Sequence, residues 1–405
     1  METIVNLVDR LKIDEELIKL RKIHLLTCEE IKSLRESQDW RLEVKINIEY
    51  DLAYDKLYLG SWSAVPEEHR RMFQILSFLK AFYIVRNQES ADLDHLLKAL
   101  YILDVAIICG AGLEQCELMT EFANLLHNIT GMLTHCSILI LTRIFSVLVE
   151  KFPPEPIEII TNEDQSPDQC DILSLDQPSE ELFWTNHFHL HQPAKLQNCI
   201  SDWSALSKWK DLNYFMKLAG FRSVPIELGK KYDNDDWSQG MFRFGEFIKE
   251  FMTGKQSINK LGYLAQHDLF DQIPQLRKDF DVPEYCAIGT GETIMKSWIG
   301  PAGTISSMHT DDKHNLFCQV MGEKLIIIAS PKDAVNLYPH EGLLNNTSQV
   351  DPESINLEEF PLAQKVKFYK VILKAGEMLY IPKLWFHYVR SLSPSINISF
   401  WFDCD

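Results

Sequence analysis

The segment 151–180 constrains this chain more than any motif in it. Its thirty residues hold five prolines (153, 154, 156, 167 and 178) and eight acidic side chains against one lysine. Such a stretch buries too little apolar surface to offset its own ordering entropy, so it cannot form the interior of a domain. It reads as an acidic, Pro-rich linker over 151–181, and it separates two regions that obey different patterns.

Residues 1–150 contain one proline, Pro66, and place apolar side chains at helical spacing, as in Leu17/Leu20, Ile75/Leu76/Leu79 and Phe122/Leu125/Leu126. The pattern predicts an all-helical interaction domain with a helix-to-helix turn at Gly110 and Gly112. No repeat consensus recurs. From residue 182 onward, short runs rich in β-branched and aromatic residues alternate with Gly and Pro turns. Strands are predicted over 293–299, 304–308, 316–320, 324–329, 378–381 and 396–402, with turns at Gly322 and Gly376 and helical pieces over 206–219 and 239–251. Six or more short strands with close turns predict a barrel or a double-sheet jelly roll of the cupin kind, the double-stranded β-helix, over 182–405. The fold class is therefore α+β, helical first and β-rich second. The connection over 330–370 is long for such a domain and is a candidate functional loop over one mouth of the barrel.

Charge and cysteine usage narrow the function. The chain has 405 residues with 40 Lys+Arg against 58 Asp+Glu, a net charge of -18. That balance argues against sequence-independent nucleic-acid binding, which depends on cations neutralising phosphates, and favours basic polypeptide partners such as histone tails or arginine-rich ribosomal and chromatin proteins. Nine cysteines without a C-x-x-C pair predict reduced, mostly buried thiols and no zinc cluster. The apolar stretches over 97–113 and 131–149 are interrupted by Asp104 and by His135 and Arg143, so no membrane span is expected. The start of the chain lacks a secretory signal, which points to a nuclear or cytoplasmic protein rather than a secreted one.

The chemistry is concentrated in His309-Thr310-Asp311 and in His387 of the phrase 381–389. Side chains at i and i+2 of a strand share a face, so His309 and Asp311 can hold one ion while His387 arrives from a distant strand across the barrel. Two imidazoles and a carboxylate on one face of a metal leave three positions open, the arrangement suited to non-haem Fe(II) oxygen chemistry. By itself an H-x-D triplet is a weak signal, and an ordinary His–Asp hydrogen bond is its commoner meaning.

Several phrases give the triad a context: Gly262-Tyr263-Leu264-Ala265-Gln266-His267, Gly300-Pro301-Ala302-Gly303-Thr304-Ile305-Ser306, Gln319-Val320-Met321-Gly322, and Leu337-Tyr338-Pro339-His340 followed by 346–351. With these the sequence resembles the Jumonji C (JmjC) family of Fe(II)- and 2-oxoglutarate-dependent oxygenases over 182–405, and only in general character before that. The resemblance implies Fe(II) on His309, Asp311 and His387, with O2 and 2-oxoglutarate as cosubstrates. It places Tyr263, Ser306, Asn315, Lys324 and Trp401 at the 2-oxoglutarate positions, and Glu227 and Trp237 at the pocket for the target side chain. Chemistry supports Lys324 independently, because a lone ammonium at the closed end of a barrel is costly unless it meets an anion. A carboxylate with an aromatic face also suits a guanidinium, which pairs with one and stacks on the other.

The resemblance implies three reactions: hydroxylation of arginine at C3, demethylation of histone lysine, and cleavage of histone tails near methylated arginine. The triad alone does not distinguish them, and a non-catalytic binding protein on the same scaffold is the alternative from another class. Hydroxylation is the favoured reading because Glu227 and Trp237 suit an unmethylated guanidinium. His187, His189 and His191 read as polar positions of an ordinary strand, His267 and His340 as hydrogen-bonding histidines, and Cys318 as core; the direction of the His314 side chain stays open.

Overall fold

The computed structural model describes Leu26 and residues 40–57, 64–86, 92–110, 113–144, 172–229, 237–253 and 260–403. Most of the expected linker, 151–171, lies outside the described residues. The chain forms two compact units: Met1–Pro154 with Ala219–Val224, and Glu155–Leu218 with Pro225–Asp405.

In the first unit the helices α1 (Trp40–Leu57), α2 (Glu67–Arg86), α3 (Leu93–Cys109) and α4 (Leu113–Ile144) each pack on the next. Pro66 precedes α2, and Glu67 and Glu68 in its first turn complement the positive end of the helix dipole. Its residues Met72, Phe73, Ile75, Leu76, Phe78, Leu79 and Phe82 are buried around most of the circumference, which makes α2 the central helix of this unit. The N-terminus of α3 is capped by Asp92, whose carboxylate accepts the Asp94 N–H at 3.2 Å. It stops at Gly110, where an added Cβ would meet the Gln74 side chain at 1.7 Å. The helix ends at Gly110 as expected, and Gly112 lies outside the described residues. Inside this unit the fully buried Arg222 meets the fully buried Asp104 at 2.7 Å. Asn124 Oδ1 accepts from Arg222 Nη1 at 2.8 Å, and the second Asp104 oxygen accepts the Ser223 N–H at 2.7 Å.

The second unit is built on thirteen described strands: β1 (Ser174–Asp176), β2 (Ala194–Gln197), β3 (Ser223–Leu228), β4 (Ser238–Arg243), β5 (Gly262–His267), β6 (Thr290–Gly300), β7 (Ile305–His309), β8 (His314–Met321), β9 (Glu323–Ala329), β10 (Tyr369–Lys374), β11 (Met378–Ile381), β12 (Phe386–Ser391) and β13 (Ser395–Asp403). They form a nine-stranded sheet, β1-β2-β11-β8-β13-β6-β5-β3-β4, and a four-stranded sheet, β10-β9-β12-β7. The expected double-sheet jelly roll is there, with all six predicted strands. Gly322 supplies the turn between β8 and β9 at φ +73, where an added Cβ would meet the Pro394 carbonyl at 2.2 Å.

Alternation along β9 sets the two cores. Ile326 and Ile328 join Phe317, Val371, Leu379 and Ile381 in one cluster, while Ile327 and Ala329 join Ile305, Leu337, Val350, Phe386 and Tyr388 in another. The second cluster is closed by the 330–370 connection, which folds as short 3-10 turns at Pro331–Leu337, Gly342–Leu344 and Pro361–Lys365. Lys324 shares the face of Ile326 and Ile328, which explains its complete burial.

Four local expectations are corrected. The end of the presumed linker, residues 172–181, is structured, with β1 pairing parallel to β2. His187 lies in a π-helical turn, Trp184–Phe188, and His189 and His191 follow it, so the three histidines share no strand face. The helix expected over 206–219 is two pieces, Ala205–Lys208 and Leu212–Ala219, interrupted at Trp209 where its indole donates to Asp279 at 3.0 Å. The helix expected over 239–251 begins as strand β4 and turns helical only at Phe244. Among the five described free cysteines, Cys286 and Cys318 are buried and Cys109, Cys116 and Cys199 half-buried. No described helix is long and apolar enough to cross a membrane.

Candidate active site

His309 ends β7 and lies directly opposite His387 on β12, with ring centroids 4.2 Å apart. The two histidines therefore come from neighbouring strands of one sheet, not from strands across the barrel. Asp311 is not on a strand either. It follows the end of β7, and its carbonyl accepts the Leu384 N–H at 2.8 Å, a contact that Leu384 makes with φ +66. This brings the Asp311 carboxylate within 3.8 Å of His309 Nε2 and 3.5 Å of His387 Nε2. The candidate ligand atoms all lie within 4.8 Å of one another.

The backbone fixes both imidazole tautomers. His309 Nδ1 is 2.7 Å from the Ser307 carbonyl and His387 Nδ1 is 3.0 Å from the Trp385 carbonyl. A carbonyl only accepts, so each Nδ1 carries a hydrogen and each Nε2 is the ring atom that faces Asp311 and is left for a metal. Burial, with His387 beside it, pushes His309 down to about 4, so it is neutral and ligand-ready at pH 7. Burial opposes ionisation of Asp311, but the hydrogen bond and charge of His387 outweigh it and hold the carboxyl below its ordinary value. Burial opposes protonation of His387, but its hydrogen bond and ion pair with Asp311 outweigh burial and raise it above its ordinary value. A divalent metal would take the place of that proton, and two imidazoles with one carboxylate fit it.

The triad opens into a cavity of about 460 Å³. Tyr263, Ser306, Asn315 and Trp401 line it, and Lys324 stands just behind the wall. Its ammonium donates to Tyr263 Oη at 3.0 Å and to Asn397 Oδ1 at 2.5 Å, both neutral oxygens. Burial pulls this ammonium down to about 7. Gly300 makes room for the Tyr263 ring, since a Cβ there would stand 2.6 Å from its Cδ2. Trp401 Nε1, Asn315 Oδ1 and Ser399 Oγ are buried at the cavity without a hydrogen-bond partner. A small polyoxygenated anion would accept from Trp401 Nε1, Ser399 Oγ and the Lys324 ammonium, so these residues fit 2-oxoglutarate.

Glu227 and Trp237 also meet on the cavity wall. Glu227 pairs across the sheet with Tyr263, and Trp237 Nε1 donates to Glu227 Oε2 at 3.3 Å. Burial raises the Glu227 carboxyl and the indole bond opposes the rise. The cavity further contains Trp298, Gln266, Leu344, Asn346 and Thr347, which sequence reasoning missed. Trp298 had a signal of the same kind as Trp401, since the two indoles lie on paired strands and pack edge to face. Leu344, Asn346 and Thr347 bear out the expected loop at the mouth: Thr347 bridges His309, and the Asn346 carbonyl accepts the Thr310 N–H at 2.9 Å. His314 points away, to Tyr380 Oη at 2.9 Å, and His267 is bonded to Gln272 at 2.6 Å.

Residues 179–405 match the family model described as a cupin-like domain. The chain is 39% identical over 364 residues to Jumonji C domain-containing protein 5 of Drosophila melanogaster, an alignment covering 87% of this chain and 85% of that protein. The chain belongs to the JmjC family. It is also 31% identical over 357 residues to lysine-specific demethylase 8 of Danio rerio, covering 87% of this chain and 85% of that protein. More distantly, the bifunctional peptidase and (3S)-lysyl hydroxylase of Homo sapiens is 26% identical over 265 residues, 57% of this chain and 84% of that protein. JmjC proteins are Fe(II)- and 2-oxoglutarate-dependent oxygenases, and the family includes proteins named for demethylation and for hydroxylation.

Proposed function

We propose that this chain is a protein oxygenase that holds Fe(II) on His309, Asp311 and His387, uses 2-oxoglutarate and O2, and hydroxylates arginine at C3 in basic polypeptides. The observation that carries the substrate reading is the Glu227 carboxylate bonded to the Trp237 indole in the same cavity as the triad. Bound at the triad, iron, 2-oxoglutarate and O2 would supply the oxidation of a C–H bond to an alcohol, with succinate and CO2 released.

The residues of the chain have separate tasks in this reading. His309 and His387 present Nε2 donors whose direction is set by the Ser307 and Trp385 carbonyls. Asp311 contributes one negative charge, leaving a divalent ion with net positive charge to attract an anionic cosubstrate. Lys324 and Tyr263 receive the distal carboxylate, Ser306 and Asn315 offer further polar contacts, and Trp401 walls the site. Glu227 accepts a guanidinium, whose charge favours the ionised carboxylate that burial disfavours, and the Trp237 ring flanks it. The walls keep the target carbon near the triad and bulk water away from it.

Lysine demethylation is the second reading, supported by the demethylase name of the Danio rerio relative. Mass spectrometry of matched arginine and methyl-lysine peptides separates the two: a gain of one oxygen on arginine is expected, and loss of methyl groups with formaldehyde release contradicts the proposal. His309→Ala and Asp311→Ala should abolish succinate production. A binding protein on this scaffold would show no thermal stabilisation by Mn(II) with 2-oxoglutarate, whereas a ligand that binds the folded state must stabilise it.

A further inference from the structure

We propose that Gln266 reads the main chain of a polypeptide substrate: its side-chain amide pairs with a peptide unit at the mouth of the cavity. This rests on the protein-oxygenase reading above, but not on which side chain is oxidised.

The register of β5 on β6 carries the argument. Leu264 lies opposite Ile299 and His267 opposite Ser297. Two residues, Ala265 and Gln266, therefore face the single residue Trp298, which is the count of a β-bulge. In a regular strand alternate residues share a face, so Tyr263 and Ala265 would line the cavity and Gln266 would point away. The extra residue breaks that alternation, and Ala265 and Gln266 both line the cavity with Trp298 and Glu227.

This placement comes with backbone strain. Gln266 adopts φ +51, a left-handed conformation that is unfavourable for any residue with a Cβ and that glycine takes freely. Its neighbour holds it there: His267 is bonded through Nε2 to Gln272 Oε1 at 2.6 Å, and its carbonyl accepts Ser297 Oγ at 3.2 Å. Strain of this kind persists where the surroundings over-determine it and the side chain is used.

The side chain itself is exposed and has no hydrogen-bond partner among the described residues. Asn346, another cavity amide, is already engaged, its Nδ2 donating to the Thr310 carbonyl at 3.0 Å. A primary amide carries an N–H donor and a carbonyl acceptor side by side in one plane, and these can meet the C=O and N–H that one residue of an extended chain turns to the same side. Gln266 can thus hold an extended chain without regard to its side chains, while Glu227 and Trp237 select the one that enters.

The test compares wild type with Gln266→Gly and Gln266→Ala on an arginine peptide, on its dimethyl-lysine counterpart, and on the blocked single amino acid that lacks flanking peptide units. Gln266→Gly should raise Tm by relieving the strain, yet raise peptide KM by roughly 5–30-fold, the loss of one or two neutral hydrogen bonds, with a smaller change in kcat. Gln266→Ala should raise peptide KM equally without the gain in Tm. The KM penalty should vanish on the blocked amino acid, which a purely structural role would not predict. A more stable glycine variant with unchanged peptide KM would overturn the proposal, as would an equal penalty on the blocked amino acid. If only the dimethyl-lysine peptide is turned over, the arginine reading falls and the same comparison on that peptide still decides Gln266.

Discussion

Among the described residues each unit buries one long cation completely, and the two are treated in opposite ways. Arg222 in the helical unit meets the Asp104 carboxylate at 2.7 Å, with Asn124 taking a further hydrogen. Lys324 in the β-rich unit meets only the neutral oxygens of Tyr263 and Asn397, and among the described residues no carboxylate pairs with it. A cation buried with its counterion belongs to the packing; removing either partner leaves an uncompensated charge. A cation buried without one is costly in the empty protein and becomes favourable only when an anion arrives. The difference separates a structural site from a receptive one without reference to any relative.

The largest expected effect breaks the structural member of the comparison. Asp104→Ala should cost about 3–5 kcal/mol of stability in urea unfolding, because it strands a buried guanidinium. Lys324→Met should do the reverse: stability of the ligand-free protein equal to or above wild type, with the stabilisation by 2-oxoglutarate lost. A destabilised Lys324→Met protein that still responds to 2-oxoglutarate would erase the distinction.

Acidity sharpens it. An amine whose folded pKa of about 7 lies below its unfolded value leaves the unfolded chain holding more protons between pH 7 and about 10.5. Stability of the ligand-free protein should therefore rise with pH through that window, by an amount on the order of a few kcal/mol at most. Bound 2-oxoglutarate should flatten the rise. Thermal scans across the window, with and without cosubstrate in Lys324→Met and wild type, check both statements.

A smaller effect of the same sign, in the acid range, is expected at Asp279, a buried carboxylate that is fully engaged. It accepts from Lys208 at 2.6 Å, Tyr214 at 2.7 Å and the Trp209 indole at 3.0 Å. Burial opposes its ionisation, but these donors outweigh it and hold the carboxyl below its ordinary value. Its stabilisation is present above the unfolded carboxylate range and is lost as pH falls through the folded pKa. Asp279→Asn should thus cost about 1–3 kcal/mol at pH 7 and progressively less on acidification. A pH-independent cost would contradict this assignment.

The legible parts of the sequence were those where one period runs unbroken. In β13 polar Asn397, Ser399 and Trp401 alternate with Ile396, Ile398, Phe400 and Phe402, and the strand and its cavity face followed from that pattern. The triad residues were legible as chemistry, but their placement was not: nothing in His309-Thr310-Asp311 reveals that the strand ends at His309, or that His387 lies directly opposite it. The run 239–251 misled because Met241, Phe242, Phe244, Phe247 and Phe251 satisfy helical spacing while β4 pairing claims the first half. Gln266 was invisible because its bulge contains neither Gly nor Pro, and only the register with β6 exposes it.

Calorimetric titration of 2-oxoglutarate into the Mn(II)-loaded protein at pH 8, in buffers of different ionisation enthalpy, tests the receptive role of Lys324 most directly. An amine that titrates near 7 is mostly neutral at pH 8 and must take up a proton to meet the incoming carboxylate. Uptake close to one proton per bound 2-oxoglutarate is expected, absent in Lys324→Met. Binding of the same affinity with no proton uptake in the wild type, or unchanged binding in Lys324→Met, would contradict it.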